Sequence, residues 1–178
     1  NSLQSIPLHD IRSDIFADLL QYIYSGKIEL DESNVQDLLI ASDMIQLSEV
    51  VQFCCHYLSI ALNEKNVVDV WKLADQFQCT SLKKDAEHYL LMNFRSVLRT
   101  DAMKTITKEL LIEVISNDDL VVDHEQQVFE AILVWYCNNP KQPIEPLLDY
   151  VRFEYISPEH LNVVLEQIGV VRTTSTER

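Results

Sequence analysis

The stretch DLLQYIYSGKIELDESNVQDLL, Asp18 to Leu39, decides how this chain is read. Apolar residues Phe16, Leu19, Leu20 and Ile23 recur at helical spacing behind the acidic start Ser13-Asp14, and the run meets Gly26, one of only two glycines in the chain. Glycine takes the left-handed conformation that closes a helix at no steric cost, so a helix ending there is expected. In KIEL, Lys27 to Leu30, Ile28 and Leu30 alternate with Lys27 and Glu29, which is the period of a strand. Helical spacing resumes after Asp31. Upstream, LQSIPLHDI alternates at Ile6 and Leu8, and Pro7 confines that piece to a sheet edge or strand end. Two strands this short bury too little to stand alone, so their sheet partners are expected before Asn1 or on another chain.

Composition agrees with a mostly helical chain. The 178 residues suffice for one domain or two small ones, and two Gly and five Pro are too few for a turn-rich all-β fold. No apolar run approaches the roughly 18 to 20 residues that cross a bilayer, and no signal-peptide pattern is visible. With 14 basic against 28 acidic residues, a net charge of -14 repels phosphate backbones and anionic surfaces, so neither nucleic acid nor membrane is an expected partner. Lys83, Lys84, Arg95, Arg99, Lys104 and Lys108 share one region, but Asp85, Glu87, Asp101 and Glu109 are interleaved and make it a mixed-charge solvated face.

From Asp31 onward each helix is introduced by a residue able to accept a hydrogen bond from first-turn amides: Asp31, Ser48, Asn66, Thr80, Thr107, Asp123 and Ser157. Asn66 with Asp69, and Asp123 with Gln126, approximate the capping box. Ser157-Pro158-Glu159 adds proline at a first helical position. Val67, Val70, Trp71, Ala74 and Phe77 form one apolar stripe, and Leu82, Ala86, Tyr89, Leu90 and Val97 the next. Short connections make consecutive helices antiparallel neighbours. VFEAILVWYC, Val128 to Cys137, is apolar almost throughout and is expected to be a central, fully surrounded helix. The tail RTTSTER is expected to fray.

Catalytic and metal chemistry find little support. Four cysteines stand at 54, 55, 79 and 137, without the spacing that turns two thiolates toward one metal. They read as reduced thiols of a cytoplasmic or nuclear protein. Cys54-Cys55-His56 does not converge, because helical neighbours point about 100° apart. HEQQV, His124 to Val128, has valine where a zinc-protease helix needs its second histidine. Two isolated glycines cannot build a phosphate loop, and no Gly-x-Ser-x-Gly elbow occurs. Asp118-Asp119 and Asp31-Glu32 lie at helix boundaries, where capping and solubility account for them. No cofactor, metal or catalytic residue is expected.

The residues do resemble a known pairing. FADLLQYIYSGKIEL followed by NVQDLLIASDMIQLSEVVQFCCHYL is similar to the later part of a BTB/POZ domain: helix, Tyr-Thr-Gly turn, short strand, then a helical pair with an Ala-Ala-Asp-Leu-Leu core. Here Ser25 replaces the threonine and Ser42 the second alanine. NVVDVWKLADQFQCTSLKKDAEHYLLMNF resembles the opening hairpin of a BACK domain, with Val67 where an Asn-Cys pair is frequent, and SNDDLVVDHEQQVFEAILVWY is the most specific match. The pairing is that of kelch-like proteins. The resemblance implies a mainly α (α+β) chain: a carboxy-terminal part of a BTB/POZ fold with short strands over 1–62, and an all-α BACK domain of antiparallel helical hairpins over 63–168. Within the latter, 63–100 would be the first, cullin-contacting hairpin, and 169–178 a flexible tail toward a further module.

Such proteins are typically non-catalytic substrate adaptors of ubiquitin ligases. The resemblance therefore implies binding to cullin-3, a homodimer formed through BTB, and an unknown protein substrate held by a kelch propeller outside this chain. Carried over position by position, the cullin face comprises Asp10, Asp43, Met44 and Ile45 on the BTB side and Asn66, Val67 and Val70 at the start of BACK. Helical hairpins offer grooves for a partner's apolar side chains without any catalytic group. The other reading open to such a chain is an interaction protein in transcription or actin cytoskeleton organisation that assembles no ligase.

Overall fold

The structure, a computed structural model, describes residues 11–159. Among them run eight α-helices: α1 (Ser13–Ser25), α2 (Val35–Met44), α3 (Ser48–Ile60), α4 (Val67–Gln76), α5 (Thr80–Leu98), α6 (Lys108–Ile115), α7 (Gln126–Asn138) and the single turn α8 (Glu145–Leu148). Short 3-10 turns cover Asp101–Lys104 and Phe153–Tyr155. None of these helices is long and apolar enough to cross a membrane.

Helix α1 ends as its glycine requires. Gly26 takes φ of +69°, and its N–H donates to the Tyr22 carbonyl at 2.7 Å. A Cβ at this position would meet nothing within 4 Å, so Gly26→Ala isolates the backbone term. The substitution is expected to cost about 1 kcal/mol, the penalty of a left-handed L-residue. A lowered denaturant midpoint checks it, and an unchanged midpoint would mean that the turn relaxes to negative φ.

The helix starts follow one chemical pattern, only partly the one expected. Asp31 accepts from the Ser33 and Asn34 N–H groups at 2.7 and 3.0 Å, while Asn34 Oδ1 accepts from the Asp31 N–H at 2.9 Å. The Ser33 bonds hold the Asp31 carboxyl below its usual range. Asn63 and Asn66 repeat this reciprocal arrangement: the Asn63 N–H donates to Asn66 Oδ1 at 2.8 Å and the Asn66 N–H to Asn63 Oδ1 at 3.2 Å. Asn66, the residue directly before α4, thus also exchanges bonds with Asn63 three residues earlier. Thr107 caps α6 by accepting from the Leu110 N–H at 3.3 Å. The Asp123 N–H is met by Gln127 at 3.0 Å, not by Gln126. Ser48 is the first helical residue of α3, whose cap position is Leu47. Thr80 is likewise the first helical residue of α5, and its hydroxyl donates to the Gln78 carbonyl at 3.4 Å.

The contacts gather into two compact units, each with its own apolar interior. One takes the chain up to Leu62 together with Lys72–Asp85; the other takes Asn63–Trp71 together with the chain from Ala86 onward. In the first, α2 packs against both α1 and α3. Its core holds Ile15, Leu19, Val35, Leu38, Leu39, Val50, Cys54 and Leu58. In the second, α7 packs against α6, α8 and the 101–104 turn, burying Val128, Ala131, Ile132 and Trp135 with Leu110, Leu111 and Met103. Each Val, Leu, Ile or Met among them contributes about 1.5–3 kcal/mol by leaving water.

Several expectations are corrected here. KIEL forms no strand, because a ladder needs a partner and no described residue supplies one. The segment keeps its place through local bonds instead, with Asn34 Nδ2 donating to the Glu29 carbonyl at 3.0 Å. Helix α7 is one-sided: Leu133, Val134 and Tyr136 are half-buried, and Cys137 is exposed. The buried face of α1 runs through Ile15 and Leu19, leaving Leu20, Ile23 and Tyr24 exposed. Helix α5 is kinked at Asn93 (φ -119°, ψ 19°), where the Leu91 carbonyl accepts the Val121 N–H at 3.0 Å. The strand expected at Ile6 and Leu8, Asp10, most of the helix expected after Ser157 and the tail lie outside the described residues.

Candidate protein-binding face

Helix α2 ends by presenting Asp43 and Met44 on a rigid base. Ser42, directly before them, is fully buried, and its Oγ donates to the Leu39 carbonyl at 3.0 Å, so the buried hydroxyl is satisfied. After Ile45 the chain turns through Gln46 at φ of +60°. The Leu47 N–H then reaches the Ser42 carbonyl at 2.8 Å and the Gln46 N–H the Asp43 carbonyl at 3.0 Å, the paired bonds of a Schellman closure. Glutamine at a left-handed position gives no glycine signal in the sequence. The same closure recurs after α4, where Gln78 (φ +53°) lets the Cys79 N–H reach the Ala74 carbonyl at 2.8 Å.

Fixed in this way, Asp43 is exposed, Met44 is 51% exposed and Ile45 half-buried. An apolar thioether with that much free surface, held on a helix end whose backbone bonds are closed, can enter a partner's groove at little entropic cost. One helical turn earlier, Ile40 borders a recess of about 170 Å³ shared with Ile11, Arg12, Ile15, Asp37 and Ala41. Arg12 bridges Asp14 at 2.5 Å and Asp37 at 2.7 Å across its rim. Hydrogen bonding from Arg12 lowers the Asp14 carboxyl and raises the Arg12 guanidinium. This recess has no signature in the sequence, because it depends on how α1 lies on α2.

The remaining residues of the expected face belong to the other compact unit, at the first turn of α4. Asn66 is half-buried and engaged with Asn63. Val67 and Val70 are 0% and 1% exposed and offer no surface to a partner. They are core residues because α4 turns its apolar stripe inward, and only Asp69 of that turn is exposed. Among the described residues, no group of three or more His, Cys, Asp or Glu side chains could hold a metal ion.

Comparison with known proteins finds two consecutive family matches along the chain. The BTB/POZ domain family matches residues 1–62, and the BACK family, described as BTB And C-terminal Kelch, matches residues 67–166. Kelch-like protein 3 of Homo sapiens is 29% identical over 176 residues, covering 97% of this chain and 30% of its own length. Kelch-like protein 3 of Danio rerio is 30% identical over 175 residues, covering 96% of this chain and 29% of its own. The chain thus spans less than a third of the curated relatives it matches. It belongs to the BACK family and carries a BTB/POZ segment ahead of its BACK domain, the kelch-like arrangement.

Proposed function

We propose that this chain is the scaffold segment of a substrate adaptor for a cullin-3 ubiquitin ligase, a protein-binding and non-catalytic role. The observation that carries the reading is the exposed Asp43-Met44 pair on the closed end of α2, within a BTB/POZ segment followed by a BACK domain. Ile45 and the Asn66 turn extend the proposed contact; Val67 and Val70 support it from the core by holding the start of α4 in place. Asp10, on the same BTB side by resemblance, completes the set. Pairing with a second copy through BTB and capture of a protein substrate by a further module complete the proposed role. In this reading no bond is made or broken by the chain itself, and its contribution is to hold two proteins close enough for transfer.

The test is calorimetric titration of the full-length protein with the amino-terminal region of cullin-3. Saturable binding at micromolar or tighter concentration is expected. Absence of binding at that concentration, with the protein folded, would end the ligase reading.

A further inference from the structure

The chain holds three methionines, and their surroundings differ. Met44, the last residue of α2, is 51% exposed, and Met92, one residue before the kink of α5, is exposed to the same extent. Met103, in the 101–104 turn, is wholly buried in the second unit. A thioether that meets solvent is open to oxidation to a sulfoxide, a polar and chiral group, whereas one sealed in a core is not. Of the two open methionines, only Met44 lies on the face proposed above to hold a partner. It cannot withdraw from solvent, because Ala41 and Ser42 already fill the inward positions of its turn and the bonds behind Gln46 and Leu47 close the backbone.

We propose that Met44 is a reversible oxidation site whose state decides whether the end of α2 holds its partner, an inference that rests on the cullin-3 reading above. A hydroperoxide transfers one oxygen to the Met44 sulfur: an S–O bond forms, the peroxide O–O bond breaks, and ROOH leaves as ROH. The sulfur loses two electrons, the peroxide gains them, and no proton is released or consumed. The new oxygen is a hydrogen-bond acceptor, and burying it in an apolar groove without a donor is unfavourable where burying the thioether was favourable. Asp43 beside it cannot help, since an ionised carboxylate only accepts. In the free protein water solvates the sulfoxide, so the fold is unaffected. Sulfoxide reductases restore the thioether, two thiols becoming one disulfide while the oxygen leaves as water.

The experiment treats the folded full-length protein with hydrogen peroxide and maps the three methionines by mass spectrometry. The amino-terminal region of cullin-3 is titrated calorimetrically before oxidation, after it, and after repair by methionine sulfoxide reductases A and B. Met44 and Met92 are expected to gain one oxygen each and Met103 none. Affinity should fall about tenfold or more, with the denaturation midpoint unchanged, and repair should restore it. Dithiothreitol alone, which reverses disulfide formation at the exposed Cys137, should not. Met44→Leu is expected to bind equally before and after peroxide, whereas Met92→Leu stays sensitive. Failure of the unoxidised protein to bind would end the ligase reading and this inference with it. Complete oxidation of Met44 with unchanged affinity would overturn the inference alone. So would a Met44 that stays reduced while Met92 reacts, or an equal loss of affinity in oxidised Met44→Leu.

Discussion

Trp135→Ala is expected to lower stability by about 3–5 kcal/mol, at the upper end of what a core truncation costs. Trp135 is 1% exposed on the face of α7 that also buries Val128, Ala131 and Ile132. Because α7 contacts α6, α8 and the 101–104 turn, the cavity left by the indole would be lined by elements that cannot all close on it at once. Against a total of about 5–15 kcal/mol for an ordinary domain, such a loss is a third or more of the whole. The measurement is equilibrium denaturation followed by Trp71 fluorescence. Trp71 lies in the same compact unit, where its Nε1 donates to Glu87 at 3.0 Å, so it reports the unit in which the cavity is made. A shift under about 1 kcal/mol would mean that the site collapses and that α7 is not the organising helix of this unit.

That the sequence foretold α7 as a buried helix but not its one-sidedness shows where pattern reading stops. An unbroken apolar run states that a helix wants cover; how many neighbours arrive is decided by tertiary packing. KIEL shows the same limit for strands, since alternation at Ile28 and Leu30 describes one edge of a ladder and is silent about the other. Gly26 was legible because its φ of +69° is one that L-residues avoid. Gln46 and Gln78 adopt nearly the same angle without a signal, their strain offset by Schellman bonds to Ser42 and Ala74, both fully or nearly fully buried. The sequence pointed to Asn66 ahead of α4 but not to Asn63, whose N–H and Oδ1 exchange bonds with it. As for the face, periodicity gave the stripe of α4 but not its direction. Val67 and Val70, placed on the surface by resemblance, belong to the core, and the recess beside Ile40 was invisible.

Met44→Asp is expected to weaken cullin-3 binding by about 2 kcal/mol or more, roughly thirtyfold in Kd, if Met44 is the apolar anchor of the proposed face. Few residues of an interface carry such losses, and they are those that bury an apolar body in a partner's pocket while their own backbone is already fixed. Met44 meets both conditions: half its surface is free, and the turn behind it is closed by the bonds of Gln46 and Leu47. The aspartate would place a second carboxylate beside Asp43 and require its desolvation in the groove. Because the methionine is half in solvent, the substitution should leave the circular dichroism and denaturation midpoint nearly unchanged, which separates lost contact from lost fold. Met44→Leu keeps the apolar volume and is expected to retain most of the affinity. Equal affinity for the aspartate and leucine variants would remove the end of α2 from the interface even if cullin-3 still binds, and would move the search to the α1 surface formed by Leu20, Ile23 and Tyr24.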